Sequence, residues 1–388
     1  MTPEARVQAA IEVLDEVLAG HPAEKALTTW GRRSRFAGSK DRAAVRDHVF
    51  QALRCKRSYA CLGGAETGRG LMLGALRAGG VAPETVFTGQ GHAPAVLHED
   101  EAAAGAPPEA EGDRLDLPDW MVPLFHDSLG TEAEAAALAL KHRAPVCLRI
   151  NVKMNSIPQV IDKLLNSDIH VRRSTLADEA VIVTEGARKV AQSALYAKGV
   201  IELQDGASQA AMAALEIAPG ARVLDYCAGG GGKTLALAAR HDALWFAHDA
   251  DPRRMADLPA RAARAGVAVT LLEDRDLTAA GPFDLVLCDV PCSGSGTWRR
   301  APDAKWRLTP ERLSALCAIQ GDILDRAATL VAPGGHLVLT TCSVLRDENE
   351  AQCDGVLQRH PGWREALRQR WPVSEDGDGF FLAVFEKV

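Results

Sequence analysis

The sequence predicts a multidomain chain. An all-helical N-terminal domain precedes a small α/β subdomain and a C-terminal α/β domain built on a doubly wound parallel sheet. Three observations carry this expectation. Apolar residues recur at helical spacing through the first segment, apolar runs alternate with helices from about Gly220, and a glycine-rich loop follows the first of those runs. At 388 residues the chain is long enough for two or three cores. Its 47% hydrophobic and 24% charged residues are ordinary globular composition.

The elements follow in order. Over Thr2–Arg77, Ala9, Val13, Leu14, Val17 and Leu18 share one helical face, and Val45, Val49, Phe50 and Leu53 share another. Between Lys25 and Arg57 stand ten basic residues against two acids, Asp41 and Asp47. Such a run is either a solvated helical face or a phosphate-facing patch. Glu99–Asp116, acidic and rich in Ala, Gly and Pro, reads as a linker. The second unit starts near Leu117, with a helix at Glu132–Lys141, a strand at Val146–Val152, a helix at Ile157–Leu165, and strands at His170–Arg173 and Val181–Val183. The domains are thus expected at 1–116, 117–200 and 201–388. In the last, strands fall at Val223–Tyr226, Leu244–His248, Val269–Leu272, Leu285–Cys288 and His336–Thr340. Helices lie between them at Thr234–Arg240, Arg253–Ala265 and Pro310–Leu330.

No stretch of about 18 apolar residues occurs, so no transmembrane helix is expected. Met1–Ala10 lacks the apolar core of a signal peptide. Nine cysteines without regular spacing suit a reduced, cytoplasmic protein. A formal charge of -7 does not exclude a nucleic-acid partner, because binding needs a basic face rather than a basic total.

The loop Asp225-Tyr-Cys-Ala-Gly-Gly-Gly-Gly-Lys-Thr234 follows an apolar strand and opens a helix. A phosphate-binding P-loop would need glycine where Cys227 stands, and a dinucleotide fingerprint on Gly229 and Gly231 ends on Thr234 instead of glycine. S-adenosylmethionine fits better. It has no pyrophosphate, and its ribose diol and adenine call for acids at successive strand ends. Asp249 ends the second strand and would take the ribose hydroxyls. Asp274, with Asp276 as rival, follows the third and would meet the adenine amino group. Each acid alone is an ordinary cap or turn residue; three at consecutive strand ends beside this loop make a site.

Two further strands end in Asp289-Val-Pro-Cys-Ser-Gly-Ser-Gly296 and in Thr340-Thr-Cys-Ser343. Strand ends of a doubly wound sheet converge on one crevice, so Cys292 and Cys342 should both face it. Cys147, Cys227, Cys288 and Cys317 read as small hydrophobes. Zinc is not expected, because Cys288 and Cys292 lack partner ligands at metal spacing. A thiolate beside a methyl donor suits methylation of pyrimidine carbon 5. Its addition to carbon 6 makes carbon 5 nucleophilic through a covalent adduct. Amino-group methyltransferases place a second proline and an aromatic where this chain has Asp289-Val-Pro-Cys292.

At these residues the chain resembles the RsmB/Nop/Sun family of RNA 5-methylcytosine methyltransferases. The family loop Asp-x-Cys-Ala-Ala-Pro-Gly-Gly-Lys-Thr stands at Asp225–Thr234, with Gly229-Gly230 replacing its Ala-Pro pair. The Asp-x-Pro-Cys-Ser-Gly-x-Gly motif is complete at Asp289–Gly296. Arg299–Trp306, Thr341–Ser343 with Glu348-Asn-Glu350, Gln204–Ser208 and Asp378–Phe381 also match. The resemblance covers roughly Leu117 to Val388. It implies a Rossmann-like class I methyltransferase domain. In it Cys342 would be the nucleophile, Cys292 would assist release, Asp289 would bond the cytosine edge and Lys233 would shape the pocket. The implied cofactor set is Cys227, Ala228, Gly229, Gly230, Gly231, Gly232, Lys233, Asp249, Arg254, Asp274 and Asp289. The helical N-terminus resembles a NusB-type RNA-binding domain, and the small unit, with Arg149-Ile-Asn151, resembles the family's RRM-like subdomain.

The resulting expectation is a cytoplasmic, monomeric, S-adenosylmethionine-dependent RNA cytosine-5 methyltransferase acting on small-subunit (16S) rRNA, with no metal and no membrane. Arg299, Arg300 and Lys305 are candidate phosphate contacts. The alternatives are a tRNA cytosine-5 methyltransferase, a catalytically silent RNA-binding assembly factor, and a dinucleotide-dependent dehydrogenase.

Overall fold

A computed structural model describes residues 1–388. The chain divides into two compact units, residues 1–143 with 298–308, and residues 144–297 with 309–388. The expected boundaries at 117 and 201 therefore differ from this division. Residues 117–143 belong with the N-terminal helices, and the small sheet belongs with the large one.

The first unit is helical. α1 (Pro3–Leu18), α2 (Ala23–Arg33), α3 (Ser39–Arg54), α4 (Lys56–Gly63) and α5 (Gly68–Ala78) pack Ala10, Val13, Leu14, Val45, Val49, Leu53 and Leu71 into one core. The periodic residues Ala9, Val13, Leu14, Val45, Val49, Phe50 and Leu53 are part of it. Glu99–Asp116, expected as a linker, is instead docked and carries short helices at Glu99–Ala103 and Glu111–Leu115. Arg77 donates to the Leu62 and Ala104 carbonyls, and Arg69 pairs with Glu101. Asp116 is fully buried, accepting from the Ser58 backbone at 2.9 Å and pairing with Lys141 at 2.7 Å.

The segment 298–308 joins this unit as a buried strut. Trp298 stacks on Phe125, Arg54 donates to the Arg299 carbonyl at 2.7 Å, and Lys305 donates to the Arg54 carbonyl at 3.2 Å. Arg299 and Lys305 are only 3% and 2% exposed. Their expected role as phosphate contacts is corrected: both side chains are buried inside the unit, and only Arg300 of the three is exposed.

The second unit holds two sheets. β1 (Val146–Ile150), β2 (His170–Arg173), β3 (Ala180–Glu185) and β4 (Ile201–Leu203) form an antiparallel sheet in the order β2-β3-β1-β4. The larger sheet contains β5 (Arg222–Asp225), β6 (Leu244–Ala247), β7 (Val269–Leu271), β8 (Phe283–Asp289), β9 (Val331–Thr341), β10 (Trp363–Trp371) and β11 (Phe380–Lys387). Its order is β10-β11-β9-β8-β5-β6-β7. β5 to β9 pair in parallel, whereas β10 and β11 are an antiparallel addition at one edge. The sequence predicts five strands here, and this hairpin is the difference.

The strand order reverses at β5, which lies between β6 and β8, so the crevice opens at the carboxyl ends of these strands. Helices cover both faces. Leu324, Ala327 and Ala328 of the 310–328 helix pack on one, and Ala211, Met212, Leu237 and Ala238 on the other. Arg149, 3% exposed, ties the small sheet to the loop side of the large one. It donates to Gln204 Oε1 at 2.6 Å and to the Leu235 carbonyl at 3.2 Å. Asn151 donates to the Ala265 carbonyl at 3.2 Å. No helix of the chain is long and apolar enough to cross a membrane.

Candidate active site

β5 delivers Asp225 to the crevice, and the loop after it turns sharply into the helix Gly232–Ala238. Gly229 and Gly231 make that turn with φ of +50° and +78°, where a side chain is strained. At Gly231 a Cβ would also lie 2.1 Å from Leu258 Cδ1. The loop carbonyl of Gly230 accepts from Arg261. A cleft of about 260 Å³ opens above it. Of the expected cofactor residues, Cys227, Ala228, Gly229, Gly230, Gly232, Lys233, Arg254 and Asp289 line this cleft; Gly231, Asp249 and Asp274 do not.

Asp249 nevertheless shapes the rim. Its Oδ2 accepts from the Gly229 backbone and from Arg254, each at 3.0 Å, and Oδ1 accepts from the Asp251 backbone. Asp274 lies beyond β7, with its carboxylate 3.0 Å from His248 Nε2 and 3.2 Å from Arg326. His248 is buried, with Nδ1 2.8 Å from the Tyr226 carbonyl, and lies tilted against the Tyr226 ring.

The residues suit S-adenosylmethionine on one structural observation in particular. Asp225 is buried, and although its Oδ2 accepts from Thr234, its Oδ1 has no partner. Burial pushes its carboxyl up to about 6. An unpaired buried acceptor on the floor of a glycine-walled cleft is a place for a donor from outside the chain.

The two cysteine motifs meet beside this cleft. Cys292 Sγ and Cys342 Sγ are 3.4 Å apart, one after β8 and one after β9. Lys233 bonds Asp289 at 2.6 Å, and Asp289 also accepts from Thr340 at 3.2 Å. The interaction between the thiols shifts them oppositely. The Cys342 thiol is lowered, first by the hydrogen bond from Cys292 and with help from the Lys233 charge, against its burial and the Asp289 charge. Cys292 is raised well above the ordinary thiol range by that same bond, by burial and by Glu348. Cys342 is therefore the partner that ionises, and Cys292 keeps its proton. Burial raises Cys288 as well. Like Cys147 it is buried, as expected of a small hydrophobe. Cys227, in contrast, is only partly buried and lines the cleft.

Several motif residues given no role from the sequence support the two thiols. Glu348, fully buried, accepts from the Ser293 backbone at 2.7 Å and from Gln320 at 3.1 Å. Ser295 and Ser343 share a hydrogen bond of 2.9 Å, and Ser295 Oγ accepts from the Val344 backbone. Asn349 accepts from Thr341 and donates to the Ser343 carbonyl. Together these cross-links hold the two cysteine loops against each other. Glu348-Asn349 stands six and seven residues past Cys342 and was flagged by the resemblance as part of an acidic helix start, without its partners. The structure gathers no group of three or more metal-ligating side chains.

The family profile described as 16S rRNA methyltransferase RsmB/F matches residues 212–386, and the RsmF/B-like ferredoxin-like domain profile matches residues 117–190. A ribosomal RNA small subunit methyltransferase B from Xanthomonas campestris is 34% identical over 299 residues, which are 72% of this chain and 68% of that protein. A structure solved as PH0851 aligns with a TM-score of 0.77 at 24% identity, covering 100% of this chain and 99% of that one. A methyltransferase homologue from Pyrococcus horikoshii aligns at 26% identity with a TM-score of 0.61, covering 71% of this chain and 97% of its own.

Proposed function

From the premise that the chain belongs to the RsmB/F methyltransferase family, we propose that it methylates carbon 5 of a cytosine in small-subunit rRNA, using S-adenosylmethionine, in the cytoplasm. The observation that carries this reading is the pair of unlike thiols 3.4 Å apart beside the Lys233–Asp289 pair and the glycine cleft. Amino or oxygen methylation has no use for two thiols there.

When bound, S-adenosylmethionine supplies an electrophilic methyl group. Cys227 to Lys233 and Arg254 would hold it, with Asp225 and Asp249 accepting from its amino or hydroxyl groups and Asp274 from the adenine. The protein's own residues supply the rest. Asp289 would accept from the exocyclic amine of a cytosine that has left its stack. Cys342, as thiolate, would form an Sγ–C6 bond and so place electron density on carbon 5. After methylation the carbon-5 proton passes to water, the C5–H electron pair restores the C5=C6 double bond, and the Sγ–C6 bond breaks with its electron pair returning to Cys342. Cys292, protonated in the resting site, lies within reach of the departing sulfur. It would thus favour release.

The test offers methyl-tritiated S-adenosylmethionine and separated rRNA and tRNA pools to the wild type, Cys342→Ala and Cys292→Ala. Expected are 5-methylcytosine in small-subunit rRNA, no label with Cys342→Ala, and a protein–RNA band on a denaturing gel with Cys292→Ala. Label in tRNA alone would overturn the rRNA assignment. A persistent band with Cys342→Ala would overturn the assignment of the nucleophile.

A further inference from the structure

The chemistry above leaves a surface of the first unit unexplained. α2 and α3 meet at the turn Ser34–Gly38, and around it Arg32, Arg33, Arg35, Lys40, Arg42 and Arg46 are all exposed. Few carboxylates offset them. Glu24 pairs with Arg46, Glu16 reaches Arg33 at 3.6 Å, and Asp41 is turned inward to Arg6. Arg32, Arg35, Lys40 and Arg42 meet no acid. Within this cluster Phe36 is 77% exposed, the most exposed aromatic of the chain's large hydrophobics.

The turn that presents Phe36 is fixed. Ser34 and Ala37 on either side are buried. Ala37 N donates to the Ser34 carbonyl at 3.0 Å, Arg42 Nε to the Ala37 carbonyl at 3.0 Å, and Gly38 N to Asp41 at 3.2 Å. Next to it a cleft of about 440 Å³ is walled by Leu27, Trp30, Arg32 and Arg42. A single exposed hydrophobe is ordinary on a protein surface. A phenyl ring held out on a fixed turn among unpaired cations, beside a tryptophan-walled cleft, is not, because it leaves apolar area in water where it could bury against something flat.

We propose that the α2–α3 corner is a docking surface for a single-stranded RNA segment. Phe36 stacks on an unpaired base, and Arg32, Arg35, Lys40 and Arg42 neutralise its phosphates. Single strands combine the two features this surface complements, a polyanionic backbone and bare π faces. A duplex hides its base faces, and an acidic protein offers charge without them. The inference rests on the reading that RNA is the substrate, and it adds where flanking RNA is held.

The test is fluorescence anisotropy with the full-length protein and a labelled, unstructured 12-nucleotide oligouridylate, in a salt titration. A 12-base-pair RNA duplex and polyglutamate serve as competitors. Phe36→Ala is expected to weaken binding about five- to a hundredfold, with recovery in Phe36→Tyr. Arg35→Glu is expected to weaken it and to flatten the logarithmic salt slope by about 0.7 for each phosphate no longer neutralised. Arg312→Glu, an equal charge change on another exposed helix, should leave it within about twofold. Melting curves establish that each variant folds. Unchanged binding by Phe36→Ala and Arg35→Glu overturns the proposal, as does displacement by polyglutamate or duplex as effective as by single strand. The methyl-transfer assay is read separately. Methylation that survives with no effect of these variants on binding removes the surface alone. Oligouridylate binding that depends on Phe36, without methylation of any RNA, removes the catalytic reading alone.

Discussion

Asp225→Asn should stabilise the ligand-free protein, and only above a definite pH. Asp225 is 2% exposed, its Oδ1 has no partner, and burial moves its carboxyl from an ordinary 3.8 to about 6. At about 1.36 kcal/mol per decade, that displacement corresponds to a cost of about 3 kcal/mol for keeping the ionised group inside the fold. Below about pH 4 the group is protonated in both folded and unfolded chains, and the cost is absent. Between about 4 and 6 the folded chain holds the proton more tightly, so stability falls as pH rises. Above about 6 the cost is complete. Asparagine is neutral throughout, and its side-chain oxygen still accepts from Thr234. The variant should therefore gain up to about 3 kcal/mol at about pH 8 and nothing at about pH 4. Denaturant unfolding of both proteins across that pH range measures the difference curve. A difference that is flat in pH, or a variant weaker at the alkaline end, refutes the reasoning. The same substitution should weaken S-adenosylmethionine binding in calorimetry at the alkaline end, because the unpaired anionic acceptor is lost from the cleft.

Two other substitutions test neighbouring parts of the structure. Burial lowers Lys305 from 10.5 to about 8, so its charged form is disfavoured in the fold and wild-type stability should rise between pH 8 and 10.5. Lys305→Met removes a cost of about 3 kcal/mol and a hydrogen bond worth about 1, giving about 2 kcal/mol of added stability at about pH 7 that shrinks by about pH 10 in denaturant unfolding. Gly231→Ala combines left-handed backbone strain with a Cβ only 2.1 Å from Leu258 Cδ1. It should cost about 2–4 kcal/mol and weaken cofactor binding through distortion of the loop, whereas Gly232→Ala, with nothing within 4 Å, should cost little stability in the same melting measurement.

The sequence announced the crevice more fully than the rest because strand, glycine turn and helix follow one another locally. Each of the five parallel strands is an apolar run, and each ends near a residue whose chemistry is recognisable from its type. β10 escaped because its arginines and glutamates, at Arg364, Glu365, Arg368 and Arg370, hide the alternation of an edge strand paired on one side only. The 99–116 segment escaped for a different reason. Its order comes from Arg69 and Arg77, about 30 residues earlier, which donate to carboxylate and carbonyl oxygens that composition does not show. Arg299 and Lys305 were misplaced because a basic residue is exposed by default, and only the fold reveals the backbone partners and packing that let it be buried.

The two thiols could not be told apart from residue type, since both follow strands of one sheet. Geometry separates them. At 3.4 Å one sulfur can hold the proton and the other can accept it. The hydrogen bond between them lowers Cys342 and raises Cys292; at Cys342 the Lys233 charge works against that of Asp289, and Glu348 adds to the rise at Cys292. On the proposed chemistry this order is the productive one. The sulfur proposed to attack is the one whose ionisation is favoured, and its neighbour is the one that holds a proton for the later step. Lys233 stands between the two parts of the site, because its 2.6 Å bond holds the Asp289 carboxylate and its charge favours the Cys342 thiolate. The motif spacing places both cysteines at the crevice, and the hydrogen bond between them, with Lys233 from the glycine loop and Glu348 from the turn after β9 pulling the same way, is what makes the two thiols unlike.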